Sequence, residues 1–318
     1  MERTSLADGE VRPADSSAAP PGPGSSETRG RSLRQLLRVN ELHGYGFVLP
    51  ALVVMLLVLA FPIVVAIGTS FTSSEGGLTL ENYARLTNPA FLNSLVVTFT
   101  FVAATVALHL VLGGAVAFAL NAQIRARKVW RVLMILPWTM PDVISGLVWK
   151  FMYDPTAGII NAVLRRLGLI DGYIEWLSNP VLALPSVIFA DVWRGYPFVM
   201  LIILAGLQST SRELSEAARV DGARWWQELW RVTLPQLRKV VLVAVALDTI
   251  WQFRRFGLVF NMTGGGPGNS TEILSLYIYK NYFKFFEYGY ASAVAVILAV
   301  IMLALSIPYM VSVVRSER

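Results

Sequence analysis

Charged side chains occur inside stretches of this sequence that are otherwise apolar. Asp191 and Arg194 are three positions apart, and Asp248, Gln252 and Arg255 follow at intervals of four and three, so each set lies on one face of a helix. Ionisable groups at membrane depth are costly and normally face a cavity or a partner charge. Two interpretations follow: structural ion pairs, such as Asp191 with Arg194, or a polar path between helices.

Prolines in the same stretches favour the polar path. Pro137 and Pro141 interrupt one apolar stretch, and Pro185 and Pro197 interrupt the next. Broken helices are tolerated in membranes where they line an enclosed cavity. Aromatic rings lie among the charges, and a sugar needs flat aromatic faces together with hydrogen-bonding groups. These rings are Trp138, Trp193, Tyr196, Phe198, Trp251 and Phe253.

The composition argues against catalysis by this chain. It has no cysteine and only two histidines, His43 and His109, far apart in sequence. Thiol chemistry is therefore excluded, and neither a metal site nor a nucleophile–histidine pair is expected. Only 15% of the residues are charged, whereas a soluble domain has about 25%.

Six apolar segments are long enough to cross about 30 Å of hydrocarbon at about 1.5 Å per residue. They are Phe47–Phe71, Leu92–Leu120, Val129–Tyr153, Val181–Leu207, Val240–Met262 and Tyr290–Val314. The sequence therefore predicts an all-α membrane protein with six transmembrane helices.

The distribution of Lys and Arg predicts the orientation. The N-terminal tail, the 121–131 and 208–239 loops and the C-terminal tail hold 18 of the 27 basic residues, and the opposite loops hold 5. Both termini are therefore expected in the cytoplasm. Residues 1–30 are rich in Pro, Gly, Ser and Ala, so we expect a disordered cytoplasmic tail over 1–40, followed by a six-helix transmembrane domain over 41–318.

The cytoplasmic loop at 209–236 reads as two short helices joined by a turn. Thr210 and Glu213 have capping-box spacing, Gly222 can adopt the positive φ that ends the first helix, and Pro235 is expected to close the second. The second helix exposes apolar residues on a cytoplasmic loop: Trp225, Trp226, Leu229 and Trp230. Such a surface suits either the groove of a partner or the lipid interface.

The order Glu216-Ala217-Ala218, Gly222 and Val232-x-Leu234-Pro235 resembles the EAA loop of permeases in binding-protein-dependent ABC importers. The resemblance covers residues 45–315 and implies the type I importer permease fold, with this loop as the coupling helix that docks on an ATPase. The coupling residues it implies are Glu216, Ala217, Ala218, Asp221, Gly222, Trp225, Trp226, Leu234 and Pro235. Val232 departs mildly from the family, in which Ile is common.

Three further stretches resemble the sugar-permease branch, the MalF type of maltose transporter. They are Leu136–Asp142, Asp191–Phe198 and the run from Phe256 to Thr263-Gly264-Gly265-Gly266-Pro267. The resemblance implies these substrate-path residues: Trp138, Asp142, Asp191, Arg194, Gly195, Phe198, Phe253 and Arg254. Four of them are charged where the maltose permease is neutral, so maltose itself is not expected; another sugar, or an anionic solute such as a glycerol phosphodiester, fits better.

The resemblance also implies the partners: a second permease chain, expected to form a heterodimer, two ATPase subunits and an external solute-binding protein. No Walker pattern is present, so ATP and Mg²⁺ are expected on the ATPase subunits and no cofactor in this chain. No nucleic acid is expected, and the location is the cytoplasmic membrane of a prokaryote. The alternatives are an importer of glycerol phosphate, an amino-acid or peptide permease of the same superfamily, and an ion-coupled transporter with Asp142, Asp191 or Asp248 as proton site.

Overall fold

The computed structural model describes residues 28–73, 76–122 and 125–315. The chain divides after Pro62 into two units. In the first, helix α1 (Thr28–Ser70) begins at Thr28, so residues 28–40, which the sequence assigned to a disordered tail, are helical. Leu, Arg and Gln, which favour helix, are frequent there. Residues 1–27 lie outside the described residues, so the disorder expected there stays a prediction.

The second unit is built from helices of very different length. The bounds are α2 (Glu81–Ala84), α3 (Pro89–Asn121), α4 (Arg127–Thr139), α5 (Asp142–Met152), α6 (Ile159–Arg166), α7 (Pro180–Ser209), α8 (Arg212–Val220), α9 (Trp225–Glu228), α10 (Leu234–Phe253), α11 (Gly257–Met262), α12 (Leu274–Tyr279) and α13 (Tyr288–Arg315). A 3₁₀ turn follows α2 at Arg85–Thr87, and π-helical turns occur at Leu229–Thr233 and Lys280–Lys284.

Within the described residues, four helices are long and apolar enough to cross a membrane. They are Val48–Ser70, Pro89–Asn121, Pro180–Ser209 and Tyr288–Ile307. A fifth crossing results if α4 and α5, which are bent by 94° at their junction, count as one span. The predicted segment Val240–Met262 is divided between α10 and α11, so the count of six spans stays a prediction.

Proline chemistry explains where the third span breaks. Met140 precedes Pro141 and is extended, with φ −73° and ψ 133°, because the proline ring disfavours the helical region for the residue before it. Helix α4 therefore ends at Thr139 and α5 begins at Asp142. The expectation of a break in this span is confirmed.

The same expectation is wrong for the fourth span. Helix α7 runs unbroken through Pro185 and Pro197. An internal proline removes one hydrogen bond and bends a helix without having to end it, provided that the surrounding packing holds the two halves together. Helix α7 has that packing, since two-thirds of its apolar window is buried.

The core forms where α3 and α7 lie side by side. Both helices start in the same way: Asn88 and Asn179 accept hydrogen bonds from Ala90 N and Val181 N, at 2.9 and 2.8 Å, and a proline follows each cap. At Gly113 of α3 an added Cβ would stand 2.9 Å from backbone atoms of α7. Small residues that let backbones approach are typical of helix packing in membranes.

The glycine-rich run after α11 is a turn. Gly264, Gly265 and Gly268 have φ of 59°, 93° and 55°, values that residues with a side chain rarely adopt. The Thr271 hydroxyl donates to Gly266 O at 2.8 Å and closes the turn. These glycines are therefore explained by the backbone conformation of the turn, and no phosphate ligand is needed to explain them.

Candidate functional site

A cavity of about 420 Å³ opens between α4, α5, α7 and the carboxyl end of α10. The α4–α5 break contributes two lining residues, because Trp138 ends one helix and Asp142 begins the next. The full lining is Trp138, Asp142, Arg194, Gly195, Phe198, Asp248, Trp251, Gln252, Arg254 and Arg255.

Three rings of the cavity lining contact one another, and we call them the aromatic wall: Trp138, Phe198 and Trp251. The rings of Trp138 and Phe198 are stacked, with centroids 6.1 Å apart and planes at 25°. Phe198 and Trp251 are 4.3 Å apart at 36°. Three rings from three helices thus present a flat apolar surface of the kind that packs on the apolar face of a sugar.

Most of the remaining lining residues are charged. The Asp142 carboxylate accepts from Arg194 Nη2 at 2.6 Å and from Arg255 Nη1 at 3.2 Å, which links α5 to α7 and to the end of α10. Arg194 Nε also donates to Met140 O at 3.1 Å. This arginine therefore satisfies a backbone carbonyl at the helix break as well as a carboxylate.

Behind this surface lies a second layer, in which Asp191 and His109 are buried and to which Arg255, Gln252 and Asp248 connect from the cavity. Arg255 Nε donates to Gln252 Oε1 at 3.1 Å and makes an ion-pair contact with Asp191 Oδ1 at 2.8 Å. His109 Nδ1 lies 2.8 Å from Asp248 Oδ2, and the other oxygen of Asp248 accepts from Gln252 Nε2 at 3.1 Å. We call these seven residues the charge network: His109, Asp142, Asp191, Arg194, Asp248, Gln252 and Arg255.

His109 joins three helices in this network. It belongs to α3, its Nδ1 contacts Asp248 of α10, and its Nε2 lies 3.2 Å from Asp191 O of α7. Its side chain has 0% exposure. A Cβ on Gly195 would overlap the imidazole ring, so glycine at this position makes room for the histidine.

The sequence-predicted path residues fall into two groups. Six line the cavity: Trp138, Asp142, Arg194, Gly195, Phe198 and Arg254. Asp191 is instead buried in the second layer, and its partner is Arg255, so the suggested pairing with Arg194 is wrong. Phe253 points into the apolar core, where its ring meets Phe99 edge-on with centroids 5.3 Å apart. Its sequence neighbours Gln252 and Arg254 reach the cavity, because successive helical residues point about 100° apart.

Four cavity residues were not among the predicted path residues: Asp248, Trp251, Gln252 and Arg255. A signal for three of them existed, since Asp248, Gln252 and Arg255 share one helical stripe. His109 had no such signal, because a single histidine on an apolar helix does not reveal which other helix it meets.

The predicted turn of the 209–236 loop is confirmed, with Gly222 at φ 79° between α8 and α9. Glu228 fastens the two helices, accepting from Arg219 Nε at 2.9 Å and from Nη2 at 3.2 Å. This bidentate contact raises the pKa of the Arg219 guanidinium, because the Glu228 carboxylate stabilises its charged form. The indole side chains of Trp225 and Trp230 are 70% and 68% exposed.

Two details of this loop differ from the prediction. Thr210 and Glu213 form no capping box; the Thr210 hydroxyl donates back to Leu207 O at 2.8 Å, and the cap position falls on Ser211. Pro235 does not close the second helix. Helix α9, the π-helical turn and α10 run on without a gap from Trp225 to Phe253, so Pro235 lies inside a continuous helical run. A proline inside a helix can bend it without ending it.

Other predicted coupling residues lie on the same surface. Glu216, Ala217, Asp221, Trp226 and Pro235 are exposed, and Ala218 and Leu234 are half-buried. Among the described residues no group of three or more His, Cys, Asp or Glu side chains could hold a metal ion.

A family model described as "Binding-protein-dependent transport system inner membrane component" matches residues 109–318. The chain belongs to this family: it is an inner-membrane permease of an ABC transporter. This confirms the resemblance drawn from the Glu-Ala-Ala loop.

Two relatives are similar over most of the chain. The trehalose/maltose transport system permease protein MalF of Thermococcus litoralis is 36% identical over 277 residues, which are 84% of this chain and 92% of that protein. The sulfoquinovosyl glycerol transport system permease protein SmoG of Agrobacterium fabrum is 33% identical over 269 residues, which are 82% and 87%.

The same fold occurs in a solved bacterial ABC transporter involved in the import of the acidic polysaccharide alginate. The TM-score is 0.76, and the match covers 91% of this chain and 100% of the other, at 22% identity. This likeness supports the type I importer permease fold.

Proposed function

We propose that this permease forms the translocation path for a sugar and that the cavity between the aromatic wall and the charge network is where the solute passes. The single observation that carries the proposal is that one cavity is lined both by aromatic rings and by charged groups. The rings suit the apolar face of a pyranose, and the carboxylate and guanidinium groups suit its hydroxyls. The names of MalF and SmoG support the same class of solute.

We infer that transport is driven by ATP bound, with Mg²⁺, to two partner subunits. The exposed tryptophans of the 209–236 loop lie on a helix that continues into α10, and α10 carries Asp248, Trp251 and Gln252 into the cavity. Docking of an ATPase on this loop would therefore act directly on the cavity wall. Membership of a binding-protein-dependent family favours this mechanism over ion coupling.

The remaining parts of the proposal concern assembly. An external binding protein delivers the solute, a second permease chain completes the path as a heterodimer, and both termini lie in the cytoplasm. The sequence has no cysteine, so single cysteines can report the orientation without removing native thiols. A cysteine at Ser211 should react with a membrane-impermeant maleimide only from the cytoplasmic side, and one at Asn269 only from outside.

Substitution of Gly222 tests the coupling role. Gly222→Val places a β-branched residue at φ 79°, where no atom lies within 4 Å of the new Cβ, so the change acts on the backbone alone. We expect ATP-dependent uptake of labelled trehalose by the complete transporter in proteoliposomes to fall at least tenfold, with membrane insertion unchanged.

Two variants serve as controls. Gly168 also has a positive φ, 68°, and open space around its Cβ, so Gly168→Val imposes the same strain outside the loop and should leave uptake intact. Gly222→Asn should retain most uptake, because Asn tolerates this conformation. Full uptake by Gly222→Val would refute the coupling role.

A further inference from the structure

Three arginines line the cavity, and they differ in what they contact. Arg194 and Arg255 share Asp142, and Arg255 also contacts Asp191. Arg254 is exposed and has no hydrogen bond from its side chain and no carboxylate within 4.0 Å among the residues that the structure describes. One of the three positive charges is therefore left without a partner among the residues that the structure describes.

The paired arginines also have fewer donors to offer. Arg194 Nε is bound to Met140 O, and Arg255 Nε to Gln252 Oε1. Arg254 keeps all five N–H groups of its planar fork, the geometry that binds a carboxylate, sulfonate or phosphate in bidentate fashion. An arginine at membrane depth requires water or a counter-charge, and the cavity provides access to both.

The position of Arg254 places this free charge beside the aromatic wall. Its backbone N–H bonds to Trp251 O at 3.2 Å, in the turn that ends α10, so it directly follows the helical turn that carries Trp251. A solute ring packed on Trp251 would have its substituents next to this side chain.

The other charged groups of the site do not repel a bound anion. Asp142, Asp191 and Asp248 carry three negative charges, and Arg194 and Arg255 carry two positive charges. His109, which contacts Asp248 and Asp191, supplies the third positive charge when it is protonated, and the charge of Arg254 is then in excess. Each of these carboxylates has a partner, and Asp191 and Asp248 are buried. The guanidinium of Arg254 is the one charge presented to the cavity uncompensated among the described residues.

We propose that Arg254 gives the path a preference for solutes that carry an anionic group, as an acidic sugar or a phosphate ester does. This proposal rests on the proposed function and narrows its substrate class. A charge-assisted bidentate contact is about twice as strong as a neutral hydrogen bond, so a preference of at least tenfold is expected.

The test measures binding to the complete transporter in nanodiscs. The probes are cellobiose, the acidic disaccharide cellobiouronic acid, glycerol 3-phosphate and, as a simple ion, inorganic sulfate. We expect a Kd for cellobiouronic acid at least tenfold below that for cellobiose, and a smaller difference at high salt, because ionic contacts are screened.

The variant Arg254→Gln should abolish this preference, measured as the ratio of the two Kd values, and Arg254→Lys should keep part of it, because lysine retains the charge without the fork. The matched control is Lys284→Gln, which removes an exposed cation outside the cavity and should change nothing.

Each outcome separates the two proposals. Equal binding of both disaccharides would keep the sugar path and overturn the anion preference. Binding of glycerol 3-phosphate alone, lost in Arg254→Gln, would keep the anion preference and overturn the sugar. Two outcomes would show that Arg254 serves another purpose and would refute the inference. One is binding of sulfate as tight as that of cellobiouronic acid. The other is loss of the second permease chain from Arg254→Gln complexes.

Discussion

The cavity and the 209–236 loop differ in where their side chains find partners. In the cavity, Asp142 on α5 is held by Arg194 on α7, and His109 on α3 by Asp248 on α10, so these ion pairs join distant parts of the chain. In the loop, the ion pair of Arg219 with Glu228 joins residues nine positions apart, and the side chains of Trp225 and Trp230 are exposed. The cavity lining is thus held by contacts within this chain, whereas the loop leaves an apolar surface exposed, which we propose docks on a partner protein.

The largest effect that would sharpen this contrast is expected from Gly195→Ala. The new methyl group would overlap His109 and force the imidazole away from Asp248, leaving a buried carboxylate without its partner. Breaking a buried pair costs about 3–5 kcal/mol, so the variant should unfold at a clearly lower temperature in detergent.

Gly114→Ala is the matched control, because its added Cβ meets its nearest atom at an ordinary 3.8 Å, on the same α3–α7 face. Removal of the histidine provides a second check. If Gly195→Ala costs as much in a His109→Ala background as in the native chain, the clash with His109 is not the cause.

A smaller effect is expected from the Asp142–Arg194 pair, measured as a double-mutant cycle with Asp142→Asn and Arg194→Gln. The two side chains are 33% and 14% exposed, so solvent weakens the 2.6 Å contact, and we expect a coupling of about 1–2 kcal/mol in the free energy of unfolding. A coupling below about 0.3 kcal/mol would mean that the charge network does not hold α5 against α7.

The smallest effect on stability is expected from Trp225→Ala in the loop. This side chain is 70% exposed, so the unfolding temperature should hardly move. Affinity for the purified ATPase subunit should nevertheless fall at least tenfold, because buried tryptophans dominate many interfaces.

Phe283→Ala, which removes a ring that is 60% exposed elsewhere, should change neither quantity. Destabilisation of Trp225→Ala comparable to that of Gly195→Ala would contradict the contrast, since it would show that the loop packs within its own chain.

The two regions also differ in how far the sequence predicts them. The turn at Gly222 and the break at Pro141 follow from properties of single residues, a positive φ and the restriction on the residue before proline. The local pattern of the loop likewise led to the family. Local rules failed where a side chain had more than one possible hydrogen-bond partner. The Thr210 hydroxyl, for example, donates to Leu207 O and forms no helix cap.

Partners in the charge network could not be predicted, because they depend on how helices rotate against one another. Asp191 and Arg194 share a face, but Arg255 lies closer to Asp191 once α7 and α10 are packed. Phe253 and Arg254 are adjacent in sequence, yet one fills the core and the other borders the cavity. Spacing along one helix defines a face; only the tertiary structure shows what that face meets.

The unbroken helix from Trp225 to Phe253 joins the two regions, with its π-helical turn at Leu229–Thr233 close to the loop end. A continuous helix transmits a movement of one end to its other end. We expect that a tilt of the helix at Trp225 and Trp230 also moves Trp251 and Gln252. The aromatic wall and the charge network would then separate in one step. One continuous helix would then carry both the tryptophans of the loop and the residues of the cavity. Any bend in this helix would occur at the π-helical turn at Leu229–Thr233.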